Sequence, residues 1–184
     1  MKVLILLTLF FHMSLQAKDL PGDSLYQIES KWSTQDGREI ELKDLQGRPT
    51  ILAMVYFSCQ YVCPIIISSI QNLESKLTKK NRNQTQVVLI SFDPEKDTPE
   101  TMAAYALKAK LDTKRWILMT NKKEDKIREL AAALSFKYEK KGEGDYTHSF
   151  MIFILDKDGV IKAKIDSASQ DKAVLVDALN KLSL

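Results

Sequence analysis

Apolar and polar positions along the chain repeat a pattern of strand followed by helix. Residues 50–57 and 86–92 are almost continuously apolar, which is typical of strands buried on both faces of a parallel sheet. After each run, apolar residues recur at helical spacing. These helical segments cover residues 64–77 and 98–111, and a third strand and helix are predicted at residues 116–119 and 123–134. The pattern therefore predicts three successive strand–helix units.

Antiparallel elements are predicted at both ends of this series. Residues 29–45 contain the turn pair Asp36-Gly37, which predicts a β-hairpin. A second hairpin is predicted around Asp156-Lys157-Asp158-Gly159, and a last helix at residues 170–182. Alternating units favour right-handed crossovers and a central sheet covered by helices. We expect an α/β, thioredoxin-like fold: a central mixed sheet flanked by helices, with an N-terminal β-hairpin.

The first 17 residues have the layout of a secretory signal. Lys2 precedes a short apolar run at residues 3–13, and the small residue Ala17 comes before the charged pair Lys18-Asp19. The run is shorter than the ~20 residues that span a bilayer. We expect residues 1–17 to be a signal peptide or an uncleaved anchor, and residues 18–184 to form one thioredoxin-like domain. The protein is then exported to the periplasm or a similar compartment, and an uncleaved segment anchors it to the membrane.

Composition excludes several classes of protein. The chain has 184 residues, 45% of them hydrophobic and 28% charged, which are ordinary globular values and argue against disorder or a many-span membrane protein. The net charge is +3, with lysines interleaved with acids, so no nucleic-acid surface is predicted. The cluster at residues 79–82 is predicted to be a helix end and its loop, where cations favour the negative end of the helix dipole.

The only two cysteines, Cys59 and Cys63, lie between the first core strand and its helix. Sites in open α/β sheets form beyond the carboxyl ends of the strands, at such a position. A spacing of four residues directs both sulfurs the same way at a helix N-terminus, where the dipole favours the thiolate. Thiolate is both a redox nucleophile and a soft ligand that selects Cu(I). A plain structural disulfide is the alternative in an exported protein.

His148 is the candidate for a third ligand. It is the one histidine that remains once His12 leaves with the signal, and it lies in a predicted loop before the strand at Phe150. In the thioredoxin layout this loop returns beside the cysteine pair. Two thiolates and an imidazole suit Cu(I), whereas a lone histidine at a strand start is more often a hydrogen-bonding or surface residue. Asp93 and Asp97 are interpreted as strand-end and capping residues.

Three runs of sequence together resemble the Sco/SenC family of copper proteins that serve cytochrome c oxidase assembly. They are residues 56–64 (Tyr-Phe-Ser-Cys-Gln-Tyr-Val-Cys-Pro), residues 91–99, and residues 145–149 ahead of 154–159. The resemblance covers about residues 40–182. It implies a bound copper ion held by Cys59, Cys63 and His148. It also implies a copper-receiving exported partner, cytochrome c oxidase subunit II, and other copper chaperones. The chain has Gln60 where the family commonly has proline, and Thr147 where it often has aspartate.

Two functions remain open from the sequence, and a non-catalytic interaction domain with inert thiols is the remaining alternative. The first is an exported metallochaperone that passes copper to a respiratory oxidase through Cys59, Cys63 and His148. The second is a thiol–disulfide oxidoreductase that reduces the cysteines of a copper-site protein, with Cys59 and Cys63 as its catalytic redox pair. A peroxiredoxin-like activity is disfavoured, because Tyr56 stands where those enzymes carry a threonine.

Overall fold

A computed structural model of the protein describes residues 19–59, 62–142 and 145–182. Within them, nine strands form a seven-stranded sheet and a separate two-stranded ribbon. The strands are β1 (Lys31–Thr34), β2 (Glu39–Glu41), β3 (Thr50–Val55), β4 (Gln86–Ser91), β5 (Trp116–Thr120), β6 (Tyr138–Lys141), β7 (Asp145–His148), β8 (Ile152–Leu155) and β9 (Ile161–Ile165). The order in the large sheet is β2-β1-β5-β4-β3-β8-β9, and β6 pairs with β7 alone.

Strand β3 lies inside this sheet, parallel to β4 on one side and antiparallel to β8 on the other. All six of its residues are buried, as are all six of β4. This burial explains the continuous apolar runs, since neither face of these strands reaches water. The sheet is therefore mixed, and the N-terminal β1–β2 hairpin is present with Trp32 opposite Ile40, as predicted.

The described helices are α1 (Val62–Ser75), α2 (Lys79–Gln84), α3 (Pro99–Lys108), α4 (Glu124–Ala133) and α5 (Ala173–Leu182), with 3₁₀ turns at Leu25–Gln27 and Leu42–Leu45. Helix α1 buries Ile66, Ile70 and Leu73, which recur at the spacing of one helix face. Helix α3 begins as its sequence predicts. The side chain of Thr98 accepts a hydrogen bond from the Thr101 N–H, and Pro99 occupies the first turn.

Two local predictions were wrong. The basic cluster at residues 79–82 is not a helix end: it belongs to α2, a separate short helix capped by Thr78, whose side chain accepts from the Asn81 N–H. His148 is not in a loop but at the end of β7, where it pairs with Tyr138 of β6. The ribbon escaped prediction because its strands are short and mostly polar, so the period-two signal is weak.

The predicted signal or anchor at residues 1–17 lies outside the described residues. Among the residues that the structure does describe, none of the helices has the length and apolar character needed to cross a membrane.

Candidate metal centre

The cysteine pair lies at the point where β3 ends and α1 begins. Strand β3 stops at Val55, and the Cys59 N–H donates to the Tyr56 carbonyl at 3.2 Å, which closes a turn. Helix α1 starts at Val62, so Cys63 belongs to its first turn. The buried strand before the turn and the apolar face of the helix after it hold both sulfurs beyond the carboxyl edge of the sheet, as expected for this class of fold.

Backbone N–H groups point at both sulfurs. The Cys63 N–H donates to Cys59 Sγ at 3.4 Å, and the Tyr56 N–H donates to Cys63 Sγ at 3.4 Å. Both cysteines are thiols in this structure, with Cys59 half-buried and Cys63 buried. Hydrogen bonds of this kind stabilise a negative charge on sulfur once the proton has left.

The electrostatics of Cys63 differ from the expectation that the helix N-terminus would favour its thiolate. Burial is the largest influence and raises the pKa of the Cys63 thiol, against the opposing effect of the Tyr56 N–H. Removing water from around a sulfur disfavours its charged form more than one helix end and one hydrogen bond favour it. Cys63 therefore keeps its proton at neutral pH until something replaces that proton.

His148 presents one ring nitrogen to the cysteine pair. Its Nε2 lies 3.8 Å from Cys63 Sγ, and its Nδ1 lies 2.8 Å from the Ser149 carbonyl oxygen. A carbonyl only accepts, so Nδ1 carries the proton and the lone pair of Nε2 faces the sulfurs. Burial lowers the pKa of His148, which favours the neutral imidazole. This is the form and orientation that a metal ligand needs.

Aromatic rings surround the imidazole of His148. Phe92 and Phe136 have ring centroids 5.3 Å and 6.0 Å from that of His148, and Tyr56 meets it edge-on at 5.7 Å. These contacts restrict the ring to one orientation and account for its desolvation. The sequence did not identify these aromatic residues as neighbours of His148. Tyr56 was the one indication, since it places a polar hydroxyl at the end of an aliphatic strand.

The three candidate ligands come together although His148 is 85 residues from Cys63. One sulfur from each cysteine and one ring nitrogen lie within 4.8 Å of one another. Ligands bound at roughly 2.0–2.3 Å to one ion lie roughly 3.3–4 Å apart. A small contraction of the trio therefore suffices to hold a metal, and two thiolates with an imidazole suit copper.

Asp97 is a buried residue that holds the backbone at the start of the cysteine loop. Its side chain is only 2% exposed, and its carboxylate accepts hydrogen bonds from the Phe57 N–H at 3.0 Å and from the Ser91 hydroxyl. Burial raises its pKa to about 6. The interpretation of Asp97 as a helix cap was wrong, since Thr98 caps α3.

Asp93 is a second buried carboxylate near the site. Burial raises the pKa of Tyr146 to about 12, and the negative charge of Asp93 adds to this effect.

The fold and the site define a thioredoxin-like protein with two cysteines and a histidine at the carboxyl edge of its sheet. The profile of the SCO1/SenC family matches residues 21–183, and the chain belongs to that family. The family and the thioredoxin-like fold expected from the sequence are thereby confirmed.

Individual relatives agree with this assignment. The chain is 26% identical to the "SCO1 protein homolog" of Bacillus subtilis over 140 residues, which are 74% of this chain and 72% of that protein. The structure titled Arabidopsis thaliana ScoI with copper bound superposes with a TM-score of 0.69 at 20% identity, covering 82% of this chain and 96% of that one. BsSco, described as a member of the Sco family of cytochrome c oxidase assembly proteins with a disulfide switch, gives 0.71 at 23% identity, covering 86% and 94%. At these identities the two structures show the shared fold.

Proposed function

We propose that the chain is an exported copper-binding metallochaperone that holds Cu(I) or Cu(II) through Cys59, Cys63 and His148. The observation that carries this proposal is the convergence of the two sulfurs and the imidazole nitrogen within 4.8 Å of one another. Copper is the metal bound in the Arabidopsis relative. Soft thiolates select Cu(I), and an imidazole suits either oxidation state of copper.

Copper is the cargo in this proposal, and the residues prepare its transfer. Binding displaces the Cys63 proton, and the N–H groups of Tyr56 and Cys63 then stabilise the sulfurs as thiolates. His148 is already neutral, so it accepts the ion without losing a proton. Cys59 is half-buried and provides the exposed side of the site, where a receiving ligand can approach and exchange.

The proposed recipient is an exported copper protein of the respiratory chain, with cytochrome c oxidase subunit II as the specific candidate and other copper chaperones as further partners. The support is family membership, together with BsSco, which belongs to the Sco family of oxidase assembly proteins. The signal-like pattern of residues 1–17 supports export, with membrane attachment where that segment is retained.

Copper titration of the reduced protein against a chromophoric Cu(I) chelator tests the proposal. The Cys59→Ser/Cys63→Ser variant should lose tight binding, because both thiolates are gone. His148→Ala should bind at least about tenfold more weakly, the loss of one ligand. Thr147→Ala is the matched control, since Thr147 is the exposed neighbour of His148 on β7. Equal copper affinity in the wild type and the double-serine variant would contradict the proposal.

A second function is favoured by the unequal exposure of the two cysteines. The half-buried Cys59 can attack a partner's disulfide, forming a mixed disulfide and releasing one partner thiolate. Cys63 then attacks Cys59 Sγ, which releases the second partner thiol and leaves a Cys59–Cys63 disulfide. An external dithiol reductant must regenerate the pair. His148→Ala separates the functions: copper binding should weaken, whereas reduction of a disulfide-bonded peptide should continue at the wild-type rate.

A further inference from the structure

The candidate ligands belong to two parts of the structure that share no strand pairing. Cys59 and Cys63 lie at the junction of β3 and α1, whereas His148 ends β7 in the two-stranded ribbon β6–β7. Across the described residues, this ribbon is not hydrogen-bonded as strands to the seven-stranded sheet. The position of His148 relative to the sulfurs therefore depends on the short connection from β7 to β8 and on contacts between side chains.

Tyr56 contacts both parts of the site. Its backbone N–H donates to Cys63 Sγ, and its hydroxyl donates to Asp145 Oδ1 at 2.8 Å. Asp145 is the first residue of β7, and the same Oδ1 also accepts the Tyr146 N–H at 2.9 Å. The Tyr56 ring lies edge-on against His148, with an interplanar angle of 84°. One residue at the end of β3 thus touches a cysteine ligand, the histidine ligand and the strand that carries the histidine.

The ribbon has other polar connections. Tyr146 of β7 interacts with the buried Asp93, and the remaining connections are weaker or more distant from the ligands. The ion pair between Lys140 and Glu95 is solvent-exposed, with side chains 47% and 73% accessible, and exposed pairs of this kind contribute little. Arg128 lies over the Tyr138 ring at 5.9 Å. The Tyr56–Asp145 bond, by contrast, is partly buried and has a carboxylate as its acceptor. Charge-assisted hydrogen bonds in such surroundings are the stronger ones.

We propose that the hydrogen bond from Tyr56 to Asp145 is a latch that positions His148 for the metal. Tyr56 is a positioning residue in this scheme and not a ligand: its hydroxyl holds β7 against the end of β3, so that Nε2 stays in reach of both sulfurs. The latch sets how strongly the histidine contributes to copper affinity. This inference rests on the proposed function.

Four variants test the latch in copper titrations and in the nitrogen hyperfine signature of the Cu(II) form. Tyr56→Phe and Asp145→Ala should each weaken copper binding about tenfold, the value of one hydrogen bond to a charged group, and should alter the histidine nitrogen signal. Asp145→Asn keeps an acceptor oxygen and should recover most of the affinity. Tyr138→Phe is the matched control, because it removes a ribbon hydroxyl that has no hydrogen-bond partner among the described residues.

A second background separates positioning from general damage. In the His148→Ala protein, Tyr56→Phe should cause no further loss of copper affinity, because the ligand that it positions is absent. Rates of peptide disulfide reduction should match the wild type in Asp145→Ala and Asp145→Asn. The latch is refuted if Tyr56→Phe binds copper like the wild type, or if it weakens the His148→Ala protein as much as it weakens the wild type.

Failure of the proposed function has a different outcome. If the wild type binds copper no better than the double-serine variant, copper carriage is wrong, and the latch is tested by hydrogen exchange in the metal-free protein. Backbone amides of β6 and β7 should then exchange about tenfold faster in Tyr56→Phe and at the wild-type rate in Tyr138→Phe. Equal exchange in all three proteins would overturn the latch independently of copper.

Discussion

Replacing Asp97 with asparagine measures the energetic cost of the buried carboxylate beneath the cysteine loop. Asp97 is 2% exposed and accepts hydrogen bonds from the Phe57 N–H and the Ser91 hydroxyl. An asparagine side chain has nearly the same shape, and its carbonyl oxygen still accepts from the Phe57 N–H. The substitution therefore removes a buried charge while it preserves the main contact.

The expected magnitude follows from the raised pKa of Asp97. Burial raises this pKa from 3.8 to about 6, so between these values the folded protein binds more protons than the unfolded chain. The free energy of unfolding then falls as pH rises through that window, by roughly 3 kcal/mol in total. At pH 7 the full cost is present, whereas near pH 3 Asp97 is protonated in both states. Asp97→Asn should thus stabilise the protein by up to roughly 3 kcal/mol at pH 7 and by much less near pH 3.

Urea unfolding of the metal-free protein at several pH values between 3 and 8 measures this effect. The matched control is Asp125→Asn, an exposed aspartate on α4, which should leave the pH dependence unchanged. A gain in stability that is equal at pH 4 and pH 7 would refute the electrostatic explanation. A loss of stability at pH 7 would mean that the hydrogen bonds of the charged carboxylate outweigh its desolvation.

Two further predictions concern metal loading and the hairpin turn. Between pH 6 and pH 8, copper affinity should rise about tenfold or more per pH unit. Burial raises the pKa of Cys63, so each bound ion must displace the thiol proton. Affinities measured at three pH values test this, and an affinity that does not change with pH would contradict it. Gly159→Ala should lower the free energy of unfolding by about 2 kcal/mol or more, because Gly159 has φ +83° and an added Cβ would lie 2.5 Å from the Tyr26 ring. Gly22→Ala is its control, since a Cβ there meets nothing within 4 Å; equal melting temperatures for the two variants would show that the turn tolerates a side chain.

Two carboxylates, those of Asp97 and Asp145, hold backbone elements next to the candidate ligands. A buried carboxylate that costs stability holds the Phe57 N–H at the start of the cysteine loop, and a second carboxylate holds the strand that carries His148. Desolvated groups such as Asp97 are common where a protein must keep ligands in place before the ligand arrives. Asp97→Asn should therefore raise stability while it keeps the contact to Phe57, whereas loss of the Asp145 carboxylate should weaken copper binding.

Local patterns in the sequence determined most of the fold. The buried strands β3 and β4 were visible as continuous apolar runs, and α3 was marked by Thr98 and Pro99. These features depend on neighbours within a few residues, which is why periodicity and capping signals report them. The cysteine pair was also visible, because both of its members lie within one local segment.

Only the tertiary structure decided how the site is completed. The ribbon β6–β7 has short, mostly polar strands that give little periodic signal. The bond from Tyr56 to Asp145 and the support of Phe57 by Asp97 join residues that lie far apart in the chain. Such contacts depend on packing and desolvation, and no spacing of residues within a short segment predicts them. The same burial decided the protonation of Cys63, where desolvation outweighs the helix end that the sequence suggested. The sequence by itself determined the sheet and the two sulfurs, and the packing around Tyr56 decided where the imidazole meets them.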